Sequence, residues 1–263
     1  VTERRRADER LKAFAAKLER SNRELQEFAS VAAHDLQEPL RKIQAFGDRL
    51  QSNYAEALGD QGLDYLGRMQ AAAGRMRSLI SDLLTFSRVE TKAQPFRPVD
   101  LGRVAREVLS DLEGRIQQSG ARVEVDGLPT VEAEPTQMRQ LLQNLIGNAL
   151  KFHRPGEPPV VQVHGRPALA PEGEGDAADP TLCRIAVQDN GIGFDEKYLD
   201  RIFGLFQRLH GRGEYEGTGM GLAICRKIVD RHGGSITARS APGHGATFLV
   251  TLPLTRGDGG ETL

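Results

Sequence analysis

The sequence predicts an α + α/β chain in which a helical hairpin precedes a domain of interleaved helices and strands. Two observations predict this division. Between residues 4 and 92, apolar residues recur every three or four positions and no strand pattern appears, which is typical of helix. The segment from Thr91 to Asp100 then contains two prolines, and short strand-like stretches alternate with helical ones beyond it.

Composition limits the classes of function. The 263 residues are enough for two domains. The counts of Lys+Arg 35 and Asp+Glu 36 give a net charge of −1, so there is no basic excess for binding nucleic acid. No apolar run is long enough for a membrane span, and the N-terminus lacks the apolar stretch of a signal peptide. Two cysteines, Cys183 and Cys225, provide neither a disulfide framework nor a metal-ligand spacing.

Two further expectations concern where the chain belongs. We expect it to be cytoplasmic, with no contact to a membrane. Because it opens inside a charged helix, we also expect a fragment of a longer protein, whose upstream domain lies outside the given sequence.

The helical half carries two apolar seams with coiled-coil spacing, one over 11–50 and one over 66–83, and the loop between them is expected at about 55–61. We predict a coiled-coil helix over 1–30 and a hairpin over 31–92 that pairs with a second copy in a four-helix bundle. A helical spacer accounts for the seams equally well.

Beyond a linker predicted over 93–99, a mixed domain is predicted over 100–263, with a sheet covered on one face by helices. The stretch 167–180 is rich in Gly, Ala and acidic residues and is expected to be an exposed hairpin loop. The expected helices cover 101–116, 135–152 and 220–232, and the expected strands cover 121–126, 130–134, 160–165, 183–189, 235–240 and 246–253.

His34 lies in the sequence FASVAAHDLQEPLRK, about 200° round the helix from the seam positions on either side, so its imidazole is expected to face solvent. Asp35 can accept a hydrogen bond from Nδ1–H, which leaves Nε2 as a nucleophile. Pro39 removes one helical hydrogen bond and is expected to bend the helix. A lone exposed histidine usually has no function and a proline kink is often simply tolerated, so this pattern alone leaves the choice open.

A second pattern is QMRQLLQNLIGNALKF, where Asn144, Asn148 and Lys151 lie at i, i+4 and i+7 on one helical face. The carbonyl oxygen of Asn148 can ligate Mg²⁺, and Lys151 can bind phosphate oxygens. A helix with two ordinary exposed amides is the alternative.

Glycine-rich turns form the third pattern. In VQDNGIGF a predicted strand ends at Asp189, and in EGTGMGLAI the glycines precede an apolar helix. Such turns can bind phosphates through backbone N–H groups, although either turn alone is also typical of a simple connection. Between them, the segment IFGLFQRLHGRGEYEG contains Phe203, Arg208 and four glycines, and it is predicted to close over a ligand.

Taken in order, these segments resemble the transmitter region of sensor histidine kinases. HDLQEPLRKI is similar to the H-box, NLIGNALKF to the N-box, FGLFQRL to the F-box, and DNGIGF, GTGMGLAI and GHGATF to the three glycine boxes. The resemblance extends from about Leu11 to Pro253, and six motifs in one order are very specific. The segment SNRELQEFASVAAHDLQEPLR is most similar to the corresponding segment of kinases with PAS, GAF or phytochrome-type sensors.

The resemblance implies a homodimeric dimerisation and phosphotransfer hairpin, followed by an ATP-binding domain of the Bergerat (GHKL) fold. It implies that His34 is the phosphoacceptor, Asp35 its base, and Asn148 the Mg²⁺ ligand. Asp189 is implied to accept from the adenine amino group. The other implied nucleotide-binding residues are Asn144, Lys151, Gly191, Gly193, Phe203, Arg208, Gly217, Thr218, Gly219 and Gly221.

The implied function is ATP- and Mg²⁺-dependent autophosphorylation of His34, followed by transfer to an aspartate of a response-regulator receiver domain. Related ATPases carry a glutamate where Asn144 stands here. Because a neutral amide cannot act as a base, ATP is expected to survive until His34 attacks. Glu38 stands where many family members have Thr or Asn, and its negative charge predicts weak or absent phosphatase activity toward the regulator.

A second hypothesis is a catalytically silent, nucleotide-binding dimeric scaffold. The presence of His34, Asn148, Asp189 and all the glycines argues against it.

Overall fold

The computed structural model describes residues 2–91, 94–169, 178–209, 211, 215 and 217–255. The chain divides into two compact units, Val1–Thr91 and Lys92–Leu263. Within the described residues, no helix combines the length and the apolar character needed to cross a membrane.

The first unit is the helical element α1, Thr2–Thr91, whose backbone departs from helical values at Tyr54 (φ −132°, ψ 19°) and Gly59 (φ 60°, ψ 179°). These residues turn the chain where the sequence predicts a loop, and they divide α1 into a first and a second arm. The helix continues through Pro39. Most side chains of the coiled-coil seam predicted over 1–30 lie outside the described part of the chain.

The two arms pack against each other along one seam and are held in register by polar contacts. Gln70 Nε2 donates to Asp48 Oδ1 over 2.7 Å, and Arg77 Nη1 donates to Gln44 Oε1 over 2.7 Å. Within each arm the buried seam residues are seven positions apart, as expected for a heptad repeat. They are Ala33, Leu40, Leu66 and Ala73.

A second apolar stripe on the arms is exposed. Its members are also spaced by seven positions on each arm, and each is at least 41% exposed. A regular apolar seam of this length facing solvent marks an interaction surface. We call it the exposed seam, and it consists of Leu36, Ile43, Leu50, Met69, Met76 and Leu83.

The second unit is a mixed α/β domain. Its elements are β1 (Arg97–Asp100), α2 (Leu101–Asp111), α3 (Glu113–Ser119), β2 (Arg122–Asp126), β3 (Thr130–Ala133), α4 (Pro135–Lys151), β4 (Val160–Leu169), β5 (Ala178–Asp189), a one-turn helix (Glu196–Tyr198), α5 (Leu199–Ile202), α6 (Gly221–Arg231), β6 (Ser235–Ser240) and β7 (Ala246–Pro253).

The main sheet has five strands in the order β2-β4-β5-β7-β6, with β2 parallel to β4 and the other neighbours antiparallel. Along β7 every second residue is buried, from Ala246 to Leu252, so one face of the sheet points into the core. Helices α2, α4 and α6 cover that face with apolar side chains. The predicted architecture, a sheet covered on one face by helices, is confirmed.

The structure differs from the predicted elements in three places. The helix expected over 101–116 is interrupted at Leu112, which separates α2 from α3. Strand β1 occupies the end of the predicted linker and pairs with β3, and its Val99 is buried. Pro98 obscured this strand, since proline is tolerated only in edge pairs of this kind. The loop expected over 167–180 is strand as far as Leu169 and again from Ala178, and its middle lies outside the described residues.

Candidate nucleotide-binding site

Helix α4 carries the first group of predicted site residues. Its first turn is capped by Glu134, whose carboxylate accepts from Thr136 N over 3.1 Å and Gln137 N over 2.8 Å. One face of α4 is buried in the core by Leu141, Leu142, Leu145 and Ile146. This packing leaves the half-buried side chains of Asn144, Asn148 and Lys151 on another face.

Asn144 connects α4 to the start of α6. Its Nδ2 donates to the carbonyl oxygen of Gly221 over 3.1 Å, and its Oδ1 accepts from Gln140 Nε2 over 3.0 Å. Both ends of the amide are therefore engaged in bonds within the protein. The N-box and the second glycine turn, which are 77 residues apart at this contact, are brought together by it.

Lys151 lies beside the same glycine turn. Its Nζ is 3.9 Å from the centre of the Phe152 ring, and a Cβ added at Gly217 would lie 3.1 Å from that Nζ. Gly219 has φ +77°, and a Cβ there would lie 2.8 Å from the carbonyl oxygen of Gln207. Only glycine fits Gly219, because both its backbone conformation and the space around it exclude a side chain.

The turn ends at the start of α6. The hydroxyl oxygen of Thr218 accepts from Met220 N over 3.3 Å, one residue before α6 begins at Gly221. The turn thus leads directly into a helix N-terminus, where backbone N–H groups favour negatively charged ligands.

Asp189 organises the first glycine turn. Its Oδ1 accepts from Gly191 N over 2.8 Å and from Ala246 N over 3.1 Å. Burial raises the pKa of this carboxyl group, and the two amide donors partly oppose that shift. A Cβ at Gly191 would overlap the carbonyl oxygen of Phe152, which also accepts from Ile192 N over 2.9 Å. The first glycine turn is therefore joined to the C-terminal end of α4.

The third glycine turn supports the first one. Gly243 N donates to the carbonyl oxygen of Ile192 over 2.7 Å. Gly193 packs against the backbone of Ala241, and Gly245 packs against the carbonyl group of Asp189. In these contacts the motif GHGATF has a structural role.

Two predicted residues of the intervening segment have contacts within the protein. Phe203 is 6% exposed and lies under the guanidinium of Arg226, 5.2 Å from the ring centre, so it belongs to the core. Arg208 donates to the carbonyl oxygens of Gly217 over 2.7 Å, Tyr215 over 2.5 Å and Gly211 over 3.3 Å. In this arrangement the guanidinium holds the backbone of the segment together.

Other residues of the site were not predicted from the sequence. The ring of Tyr215 lies 5.0 Å from that of Phe152, and its hydroxyl donates to the carbonyl oxygen of His153 over 3.4 Å. Asn190 accepts from Val160 N over 2.8 Å and donates to Pro158 O over 3.2 Å. Asn190 lies within the motif VQDNGIGF, which could have drawn attention to it, whereas the stacking of Tyr215 on Phe152 left no sequence signal.

In the helical unit, His34 lies within the first arm, but its side chain is outside the described part of the chain. Asp35 is exposed one position later. Glu38 is also exposed, and its Oε1 lies 2.7 Å from the Nζ of Lys42 one helical turn further on.

Neither thiol belongs to the site's reactive groups. Cys225 is fully buried next to Asn144, and burial raises the pKa of its thiol to about 12. Burial also raises the pKa of the Cys183 thiol, which is 2% exposed.

Two family descriptions match the two units. Residues 24–92 match the His Kinase A (phospho-acceptor) domain, and residues 133–256 match the family of histidine kinase-, DNA gyrase B- and HSP90-like ATPases.

Individual relatives agree with these families. The chain is 41% identical to phytochrome-like protein Cph1 of Synechocystis sp. over 249 residues, which are 95% of this chain and 32% of Cph1. It is 43% identical to cyanobacterial phytochrome A of Nostoc sp. over 250 residues, which are 95% of this chain and 31% of the relative. The crystal structure of full-length ShkA in complex with AMPPNP has a TM-score of 0.64 at 26% identity and covers 86% of this chain and 45% of that chain.

The chain therefore belongs to the sensor histidine kinases, of which it contains the transmitter region, and its α/β unit is an ATP-binding domain of that family. The predicted similarity to kinases with phytochrome-type sensors is confirmed by the two phytochrome relatives. The chain spans about a third of the length of these curated relatives.

Proposed function

We propose that this transmitter phosphorylates its own His34 from ATP in the presence of Mg²⁺ and passes the phosphoryl group to an aspartate of a response regulator. One observation carries the proposal. Three motifs that are far apart in the sequence meet around the C-terminal half of α4, through the contacts of Asn144 with Gly221, Lys151 with Gly217, and Phe152 with Ile192.

The adenine end of the substrate is assigned to Asp189 and Gly191. Among the described residues, the hydrogen bonds to Asp189 use Oδ1, so Oδ2 is the oxygen that would accept from an amino group of the base. The missing side chain at Gly191 lets the backbone of this turn pack directly against the carbonyl oxygen of Phe152. Lys151 and the backbone N–H groups of the turn 217–221 are assigned to the phosphates.

Asn144 supports a kinase rather than a hydrolase. A neutral amide cannot remove a proton from water. In addition, its Nδ2 donates to Gly221 and its Oδ1 accepts from Gln140, so the amide is fixed where α4 meets the start of α6. Bound ATP is therefore retained until a protein nucleophile attacks.

Asn148 would hold Mg²⁺ through its carbonyl oxygen, together with phosphate oxygens, which suits an ion that prefers oxygen ligands. No group of three or more His, Cys, Asp or Glu side chains that could hold a metal ion is found among the described residues. The ion would neutralise charge on the phosphates.

In the proposed reaction, Nε2 of His34 forms a bond to the γ-phosphorus while the bond between that phosphorus and the bridging oxygen breaks and ADP leaves. Asp35 accepts the hydrogen bond of Nδ1–H and stabilises the positive charge that develops on the ring. The phosphoryl group then moves to a carboxylate oxygen of the regulator, which restores neutral His34.

The domain boundaries, the dimer, the location of the reaction and the upstream sensor are also proposals. We assign 1–30 to the signalling helix, 31–92 to dimerisation and phosphotransfer, 93–99 to the linker and 100–263 to catalysis. The exposed seam would pair two chains into a four-helix bundle. Because the reaction consumes ATP, we place it in the cytoplasm, downstream of a sensor domain of phytochrome type.

The test is incubation of the chain with γ-labelled ATP and Mg²⁺, for the wild type and for His34→Ala. We expect label that is stable to alkali and labile to acid in the wild type, and none in the variant. A variant of the pocket, Asn148→Ala, is expected to lose label as well. Label that persists in His34→Ala would overturn the assignment of the phosphoacceptor, and nucleotide binding without any label would favour the silent scaffold.

A further inference from the structure

A buried histidine lies in the α/β unit away from the nucleotide site. His232 is 7% exposed and follows the last residue of α6. Its Nδ1 is 2.7 Å from the carbonyl oxygen of Ile228, and its Nε2 is 3.1 Å from the backbone nitrogen of Glu134. A carbonyl oxygen can only accept and an amide N–H can only donate, so Nδ1 carries the proton and Nε2 is the acceptor.

The imidazole also contacts the segment that enters the α/β unit. The ring of Phe96 is 4.6 Å from that of His232, tilted by 54°. The guanidinium of Arg231 lies over the same Phe96 ring at 4.9 Å, and its Nη1 donates to Gln137 Oε1 over 2.8 Å. We call this group of five residues the clasp, namely Phe96, Glu134, Gln137, Arg231 and His232.

The residues of the clasp come from three separate parts of the chain. Phe96 is five residues past Thr91, where the helical unit ends. Glu134 caps α4, the helix that carries the N-box residues, and His232 and Arg231 lie at the end of α6. The clasp therefore joins the entering segment to both helices of the nucleotide site.

The same two helices contact each other again, at the middle of α4 and the start of α6. They run antiparallel, since the start of α4 contacts the end of α6 through Gln137 and Arg231, whereas the middle of α4 contacts the start of α6 through Asn144 and Gly221. Glu134 and Asn144 are ten positions apart, which corresponds to about 15 Å of helix. The two contacts are thus well separated along one packed helix pair, whose shared face includes fully buried Leu141 and Cys225.

We propose that the clasp positions the nucleotide site: His232 sets the start of α4 against the end of α6, and Phe96 makes this setting depend on the segment that enters the unit. This inference rests on the proposed binding of ATP. A shift at the clasp would move α4 along α6 and change the spacing between Asn144 and Gly221. Because buried helices move as rigid elements rather than bending continuously, a shift at the clasp is transmitted to the contact between Asn144 and Gly221.

The first experiment compares His232→Leu with His232→Gln in the full chain. Glutamine has a similar reach and can accept from the Glu134 amide, whereas leucine cannot. We expect the dissociation constant for AMPPNP to rise about tenfold in His232→Leu, within the usual range of coupling between sites, and to rise less than threefold in His232→Gln. The constant is measured by titration calorimetry well below the unfolding temperature of either variant.

The second experiment separates positioning from a general loss of stability. Phe96→Leu removes the stacked ring, and Ile236→Ala is the matched control, because Ile236 is buried in β6 outside the clasp. We expect Phe96→Leu to weaken AMPPNP binding about fivefold. We expect Ile236→Ala to lower the unfolding temperature at least as much, without changing the dissociation constant.

The outcomes distinguish this inference from the proposed function. If the wild type does not bind AMPPNP, the proposed function fails, and the inference fails with it. If the wild type binds AMPPNP and both His232→Leu and Phe96→Leu bind it as tightly as the wild type does, or if Ile236→Ala weakens binding as much as Phe96→Leu, only the inference is overturned.

Discussion

At the scale of single residues, Asp189, the proposed adenine-binding group, is held in a buried position at a cost to stability. Burial raises the pKa of its carboxyl group above the ordinary value of 3.8. A carboxyl group with a raised pKa contributes stability below pH 3.8 and loses that contribution as the pH rises through the raised value. The charge of the ionised side chain at neutral pH therefore adds nothing to the stability of the fold, and we propose that it serves the ligand.

This argument predicts the behaviour of Asp189→Asn. The amide keeps an oxygen for the N–H groups of Gly191 and Ala246 but carries no charge, so the unfolding temperature at pH 7 is expected to be equal to or above that of the wild type. The difference should shrink as the pH falls towards 3.8. The second polar atom now donates instead of accepting, so the affinity for AMPPNP should fall about 10- to 100-fold.

Thermal unfolding at pH 7 and pH 4, together with AMPPNP titration, checks both parts of this prediction. A variant that is less stable at pH 7 and binds AMPPNP normally would show that Asp189 has a structural role.

A second prediction at the residue scale concerns the charge of Glu38 and its effect on dephosphorylation of the regulator. Its carboxylate is close to Lys42, yet it is exposed and remains a negative charge one turn past His34. We expect Glu38→Thr to accelerate dephosphorylation of the phosphorylated regulator several-fold, because the hydroxyl can orient water and the repulsion of the phospho-aspartate is removed. Glu38→Gln is the matched control, since it removes the charge without adding a hydroxyl. Equal decay rates in the wild type and Glu38→Thr would contradict the explanation.

At the scale of elements, the arms of α1 each carry two apolar seams. The buried seam closes the hairpin, and the exposed seam has no cover within the described residues of the chain. Leu36 and Met69, for example, are 53% and 59% exposed. Seven-residue spacing on both arms means that one continuous surface is presented to a partner with the same repeat, and a second copy of the hairpin fulfils that requirement.

This surface predicts that Ile43→Glu dissociates the dimer. Burying an unpaired carboxylate in the bundle costs several kcal/mol, which exceeds what a single seam position can offset. Light scattering after gel filtration should give twice 28.8 kDa for the wild type and a mass close to 28.8 kDa for the variant. Arg49→Glu, an exposed change of charge on the same arm, should remain dimeric. A dimeric Ile43→Glu would exclude the exposed seam as the interface.

Helix α4 explains why spacing alone was enough to predict that the motif residues share one face. Asn144, Asn148 and Lys151 share a face because of helical geometry, whatever surrounds them. The strand β1 could not be predicted in the same way, because Pro98 within it and Pro95 just before it are typical of a linker, and its partner strand lies about 30 residues further along the chain.

At the scale of the whole molecule, the order of the motifs was sufficient to predict two units and their architecture, whereas contacts across long sequence separations were not predictable. His232 and Glu134 are 98 positions apart, and neither residue type at its position suggests the other. The family resemblance implied that Arg208 binds nucleotide, but its hydrogen bonds to three carbonyl groups depend on how the surrounding segment folds. The sequence pattern predicts which face of a helix or strand a residue occupies, whereas the tertiary fold determines which other residues it contacts there.

The burial of both thiols has a practical consequence for spectroscopy. Because Cys183 and Cys225 are almost entirely enclosed and their thiols are protonated at neutral pH, neither offers a thiolate to a maleimide or a methanethiosulfonate reagent. A cysteine introduced at an exposed position such as Gln51 is then labelled selectively in the native background. Fluorophores and spin labels can thus be attached to either unit while both natural cysteines stay in place.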